Sequence, residues 1–408
     1  MTRSRPHARN FWLTAHRYVG LACLIFLVIE GVTGSVLVFR QQLDALLNPS
    51  LYRTASTGAA GAALSPGELV RAVESEDPAA RVTSVPLTLR PGTAAVLEVV
   101  ARHADGQVDD KAGEPLAYDE LFADPISGHI IGRRLNVAGW ALPHLMQGVY
   151  QLHVDLMGGT AGRWILGIAA GLWALGTCVG LYLTLPRAGP FWKKWQPAWK
   201  VRAAWRMPGS LLELHRASGL WLLLATLVLS LTGFAMSFFS ELTAPLATRL
   251  SPSHVAALND DSLASAPRLR GRELGFDAAT QRARAFAAKR DAALKPATAS
   301  YDADANLYRI GFTRSGRLEW SRLGPIYYSI DASSGALAYV DDPYRDSAGR
   351  VVIRSLYPLH SGQVLGWATR LLVFLTGVVV AEMAVTGGWM WCYHHLRSRV
   401  TVTVRRVP

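Results

Sequence analysis

The sequence predicts an integral membrane protein of the α-helical class: a bundle of four transmembrane helices with two extracytoplasmic α+β modules, built by internal tandem duplication. Three observations predict it. Half of the 408 residues are apolar, and mean hydropathy is positive at +0.18. Four apolar stretches are long enough to cross a hydrocarbon core of about 30 Å, which takes roughly 20 helical residues. Two stretches of sequence also recur at constant offsets.

The chain opens with a basic segment, 1–17, followed by the first span, 18–39. Basic residues before an apolar run also mark a signal peptide. This run is longer than a signal core and no small-x-small cleavage site follows it promptly, so it reads as a retained helix. A first outer module covers 48–152, and the second span with its entrance covers 153–185, its apolar part being 164–185. A basic loop, 186–211, leads to the third span, 212–239. The second outer module covers 245–358, the fourth span with its entrance 359–391, and a tail 392–408.

Lys and Arg beside helix ends set orientation. Arg3, Arg5, Arg9 and Arg17 precede the first span; Arg187, Lys193, Lys194, Lys200, Arg202 and Arg206 fill the loop; Arg397, Arg399, Arg405 and Arg406 lie in the tail. These 14 charges stand without one Asp or Glu among them, and removing them from the overall +12 leaves about −2. The basic balance therefore reflects membrane topology and not a nucleic-acid surface, and both termini are expected in the cytoplasm.

The outer segments carry soluble patterning. Ser65, Pro66 and Glu68 open a capped helix in LSPGELVRAVESEDP. VTSVPLTL and AAVLEVV alternate as strands do, and a D-x-x-S-G hairpin signal follows at Asp124. The second segment repeats the order, with a helix near 277–291, a strand at LYRIGF and a hairpin around Ser334-Gly335. Residues 104–117 and 251–272 read as polar insertions. Cys23, Cys178 and Cys392 lie in or at the ends of predicted helices without paired spacing, which suggests neither a disulfide framework nor a thiolate site.

The offsets show the repeat. HRYVGLACLIFLVIEGVTGSVLVF from His16 aligns with HRASGLWLLLATLVLSLTGFAMSF from His215, an offset of 199. FADPISGHIIG aligns with SIDASSGALAY at an offset of 207, which also matches His153 with His360, Gly159 with Gly366, Arg163 with Arg370 and Gly180 with Gly387.

Of eleven histidines, four hold matched positions: His16 and His215 at the cytoplasmic starts of helices 1 and 3, His153 and His360 at the outer starts of helices 2 and 4. A histidine at a helix end is ordinarily an interfacial polar residue. Two pairs at duplicated positions, one per membrane face, instead fit the axial ligands of two b-type haems in a bundle core. Zinc needs three or four convergent ligands and each pair offers two. His144, His394 and His395 lack repeat partners and stand as substitute ligands, while His7, His103, His129 and His254 read as solvated.

Ionisable groups within lipid are costly and point to function. Arg163 and Arg370 each follow a ligand candidate by ten residues, about 15 Å along a continuous helix, where they are expected to neutralise a haem propionate or a carboxylate. Glu30 lies near that depth, and an ion pair there is the simplest expectation. Glu382 falls nearer the cytoplasmic face, and both acids face leucines across the repeat, which leaves proton coupling and a structural pair open. Thr33, Gly34, Thr232 and Gly233 read as close-packing positions.

At the HRxxG entrances, at LHVDLMGGTAGRWILG and LHSGQVLGWATRLL, and at the DPISG and DASSG hairpins, the chain resembles the PepSY-associated transmembrane family over nearly its whole length. The resemblance implies PepSY-like outer folds and haem ligation by His16, His215, His153 and His360. It also implies kinship with ferric-siderophore reductases of the bacterial inner membrane, of the ferrioxamine-utilisation type. Ala368 and Thr369 before Arg370 depart from the commoner Gly-Arg pattern. The leading expectation is outward electron transfer to an Fe(III) chelate. No G-x-G-x-x-G fingerprint occurs, so the donor is expected to be a separate protein or a membrane quinol. Trp320, Tyr327 and Tyr328 are expected to line a chelate site in a cleft between the modules. Two rivals are a regulatory module and a chelate permease; the latter expects helix breaks near mid-membrane, whereas these spans hold no interior proline.

Overall fold

The computed structural model describes residues 5–54, 62–90, 92–102, 116–202, 209–252 and 274–404. The chain divides into two compact units. One comprises 1–39, 148–244 and 359–408; the other comprises 40–147 and 245–358.

The first unit holds the apolar helices. They are α1 (Arg5–Leu37), α6 (Gly159–Thr184), the pair α8 (Gly209–Trp221) and α9 (Leu223–Ser237), and α13 (Trp367–Val404). Among the described residues three helices are long and apolar enough to cross a membrane, and the bent pair makes a fourth if it is one span. The third span was expected to run unbroken; it bends by 72° at Leu222. No proline stands at the bend; the Ser218-Gly219 pair lies within one turn of it. The helices contact one another through small residues: a Cβ on Gly31 would lie 2.5 Å from the Gly377 carbonyl oxygen, so a side chain there would force α1 and α13 apart. Leucines such as Leu175, Leu224 and Leu231 stay exposed, as a lipid-facing surface requires.

His153 and His360 do not lie on the spans themselves. α5 (Leu142–Asp155) ends just after His153, and α12 (Ala348–His360) ends on His360. A turn then precedes each span. In the first, Leu156 and Met157 take φ of 55° and 57°, and a Cβ on Gly162 would lie 1.7 Å from the Asp155 carbonyl oxygen. The expected 15 Å helical spacing from His153 to Arg163 therefore does not hold, because the helix is interrupted between them.

The second unit is built on one antiparallel sheet. Its strands are β1 (Ala80–Pro86), β2 (Ala95–Ala101), β3 (Glu120–Ala123), β4 (Ile130–Arg134), β5 (Lys295–Asp302), β6 (Leu307–Thr313), β7 (Ile326–Asp331) and β8 (Leu337–Asp341). The order β4-β3-β2-β1-β5-β6-β7-β8 joins two four-stranded meanders. The seam pairs Ser84 with Ser300, Val85 with Ala299 and Pro86 with Thr298. Two separate modules with a cleft between them were expected; at that seam they share a continuous ladder. Both meanders end in the expected hairpin, where Asp124 and Asp331 each accept two backbone N–H groups through Oδ1.

Two helices cover one face of the sheet: α4 (Pro66–Glu76) and α11 (Phe276–Arg290). The capping box read from Ser65 and Glu68 is formed. Asp277, at the start of α11, accepts from Ser65 Oγ and Gly67 N, which fastens the two helices together. The core beneath them includes Leu69, Val73, Val82, Leu97, Tyr308 and Ile330. The insertions expected at 104–117 and 251–272 lie almost wholly outside the described residues.

Candidate functional site

The four repeat-matched histidines meet in two pairs within the first unit. His16 on α1 and His215 on α8 have ring centroids 6.4 Å apart. His153 on α5 and His360 on α12 have centroids 6.1 Å apart.

Each ring is held the same way. The Nδ1 atoms of His16 and His215 lie 3.1 and 3.0 Å from the carbonyl oxygens of Gly176 and Met383. Those of His153 and His360 lie 2.9 Å from the hydroxyls of Thr33 and Thr232. A carbonyl can only accept, so Nδ1 of the first pair carries the proton and Nε2 is left as a lone-pair donor. Among the described residues no Nε2 of the four has a hydrogen-bond partner. Glycine faces every ring. A Cβ on Gly34, Gly180, Gly233 or Gly387 would lie 3.1, 3.2, 3.4 or 3.6 Å from the Cε1 of His153, His16, His360 or His215.

Thr33 and Thr232 were expected to serve packing alone. They are bridges: each hydroxyl bonds a carbonyl one turn back in its own helix, Ile29 or Val228, and a histidine on another element. Gly34 and Gly233 are close-approach positions as expected.

Geometry suits an ion between the rings. With a metal–imidazole bond of about 2.0 Å and roughly 1.1 Å more from nitrogen to ring centre, two imidazoles that would hold one ion can have centres up to about 6.2 Å apart. The observed 6.4 and 6.1 Å agree. Among the described residues no three or more His, Cys, Asp or Glu gather as a cation cage. Around His16 and His215 lies a cavity of about 580 Å³, lined also by Trp173, Met383, Arg9 and Arg17. That volume falls within the range of cofactor pockets. A two-ligand site beside an apolar cavity fits the haem expected from the sequence.

The arginines are placed differently from expectation. Arg163 donates to the Ser237 carbonyl, where α9 ends, and forms an ion pair with Glu241. Arg370 donates to the Val38 carbonyl, just past the end of α1, and lies over the Phe39 ring. Both guanidiniums thus cap helix C-termini, whose free carbonyls and dipole favour a cation. Glu30 pairs with neither arginine: its Oε2 lies 3.2 Å from His153 Nδ1. Glu382 lies beside Ser218 and Thr386.

Of the substitute ligands, His394 lines the same cavity as His16 and His215. His395 stacks on Trp391, and His144 packs against Gly139, so neither joins a pair. His129 is exposed beside Glu76, as a solvated residue; the His7 side chain, His103 and His254 lie outside the described residues. The three cysteines are free.

Of the aromatic residues expected to line a chelate site, Tyr328 is 3% exposed and belongs to the core under the helices. Tyr327, its neighbour on the opposite face, is half-buried, with Arg309 and Arg354 over its ring. Burial raises the Tyr327 hydroxyl above the ordinary tyrosine range, and the two cations oppose that shift. Trp320 packs edge-on against Tyr357. The arginines were not anticipated from the sequence; for Arg309 its alternation with core residues on β6 was the available signal.

A comparison with curated proteins finds no match. The family described as PepSY-associated TM region matches residues 13–393.

Proposed function

Because the chain belongs to the PepSY-associated TM family, we propose that it is a haem b electron-transfer protein. In this reading it reduces a ferric chelate on the outer face of the bacterial inner membrane and so releases the iron. The carrying observation is the repeated ring pair: two histidines at bonding separation, each fixed through Nδ1 and each faced by glycine. Chemistry at each pair is one-electron transfer at iron, supplied by the cofactor.

The chain's own residues prepare both places. Gly176 and Met383 carbonyls hold the inner imidazoles in one tautomer, and Thr33 and Thr232 orient the outer ones. The four glycines leave room for the rings. Arg163 and Arg370 secure the helix ends beside the outer pair. Matched contacts at offsets 199 and 207 favour a duplicated four-helix bundle, with PepSY-like folds in the outer unit. Electrons would enter at His16 and His215 from a quinol or a cytoplasmic reductase and leave at His153 and His360.

A second reading, a chelate permease, draws on the 72° bend at Leu222, since broken spans line transport sites. Stopped-flow mixing of reduced protein with a ferric chelate separates the two. Haem reoxidation with one Fe(II) captured per electron is expected; haem that stays reduced would count against the reductase.

A further inference from the structure

The face of the sheet opposite α4 and α11 carries a patterned group of side chains in its second half. Strand register aligns Arg309 with Ser329 and Tyr339 in one row, and Gly311 with Tyr327 and Asp341 in the next. Arg309 lies over the Tyr327 ring at 5.0 Å and Arg354, from α12, at 5.7 Å; Arg354 also lies over Trp320 at 5.1 Å. Aromatic and cationic planes therefore alternate as Trp320, Arg354, Tyr327, Arg309.

These two arginines differ from the pair on β4, at the edge of the first half of the sheet. There Arg134 bonds the carboxylates of Asp44 and Glu120, and Arg133 bonds Asp77. Among the described residues neither Arg309 nor Arg354 forms an ion pair, and the nearby Asp341 is taken by Arg350. Arg354 is held below the usual arginine range by burial, against the pull of Asp341. Among the described residues polar atoms near this face are also left over: Arg309 Nε, Arg350 Nε, the Ser329 hydroxyl and Asp341 Oδ1 are buried without a hydrogen-bond partner, and Ser329 is 0% exposed. Such groups call for a ligand or solvent.

The wall is fixed in advance. Arg354 donates to the carbonyls of Leu323 and Pro325, and Tyr344 donates to that of Gly324. Gly324, at φ 78°, lies so close beneath Trp320 that a Cβ would come within 2.6 Å of its ring.

We infer that this face binds a polycarboxylate chelate of Fe(III), its free carboxylates held by Arg309 and Arg354 and its body against Tyr327 and Trp320. The inference rests on the ferric-chelate reading above and narrows it to an anionic substrate class. Guanidinium forks match carboxylates in geometry and charge, and carboxylate oxygens are hard ligands for the iron. An uncharged hydroxamate chelate would leave both cations unmatched.

Calorimetric titration of the full chain in detergent tests this without a redox readout. Ferric citrate is expected to bind more tightly than iron-free citrate, inorganic phosphate or an uncharged ferric trihydroxamate, and more weakly as salt rises. Arg309→Ala should weaken ferric citrate by roughly ten-fold or more with an unchanged melting temperature, because this side chain anchors no loop. Arg354→Lys, which keeps the charge but loses the planar donors that also hold Leu323 and Pro325, should weaken it as well. Unchanged binding in Arg309→Ala, or tighter binding of any of the other three probes, would overturn the inference. Binding as expected without any haem reoxidation would instead contradict only the reductase reading.

Discussion

Replacing His16 or His215 by alanine is expected to halve the haem bound per chain, leaving the outer haem in place, and replacing His153 or His360 should do the reverse. The pairs are far enough apart to behave independently. Thr33, which holds His153, lies 17 residues along α1 from His16, about 25 Å of helix. Each replacement also keeps the other pair's fastening intact, because no residue that bonds a ring of one pair bonds a ring of the other. Haem-to-protein ratio and the six-coordinate spectrum report the outcome together. A variant that keeps two haems with unchanged spectra would remove that histidine from the ligand set.

Reoxidation is expected from one face only. In the proposed topology the basic flanks mark the cytoplasmic side, and the chelate is reduced on the other face. An impermeant ferric chelate added to right-side-out vesicles should therefore reoxidise reduced haem at least ten-fold faster than in inverted vesicles. Equal rates, or reaction only from the inner face, would contradict outward delivery.

Much of this arrangement was legible from residues. Hydropathy located the spans, since length and apolarity are local properties, and constant offsets singled out the four histidines. Contacts between distant segments were not legible. Pairing of Ser84 with Ser300 has no local signature, so one sheet read as two modules. A threonine in an apolar helix satisfies itself by bonding a carbonyl one turn back, as Thr33 does to Ile29, and only the tertiary fold adds the bond to His153. Likewise Glu241, just beyond the third span, gave no sign of pairing with Arg163. The Gly158-Gly159 pair did offer a hint of the turn after His153, but two non-glycine residues at positive φ before it could not be foreseen.

The bis-histidine assignment is tested most directly by the optical spectrum of the purified full chain, oxidised and then dithionite-reduced, with haem counted per polypeptide. Two haems, low-spin and six-coordinate in both oxidation states, are expected from ring pairs at 6.4 and 6.1 Å. A colourless protein from haem-replete cells, or a five-coordinate spectrum, would contradict it.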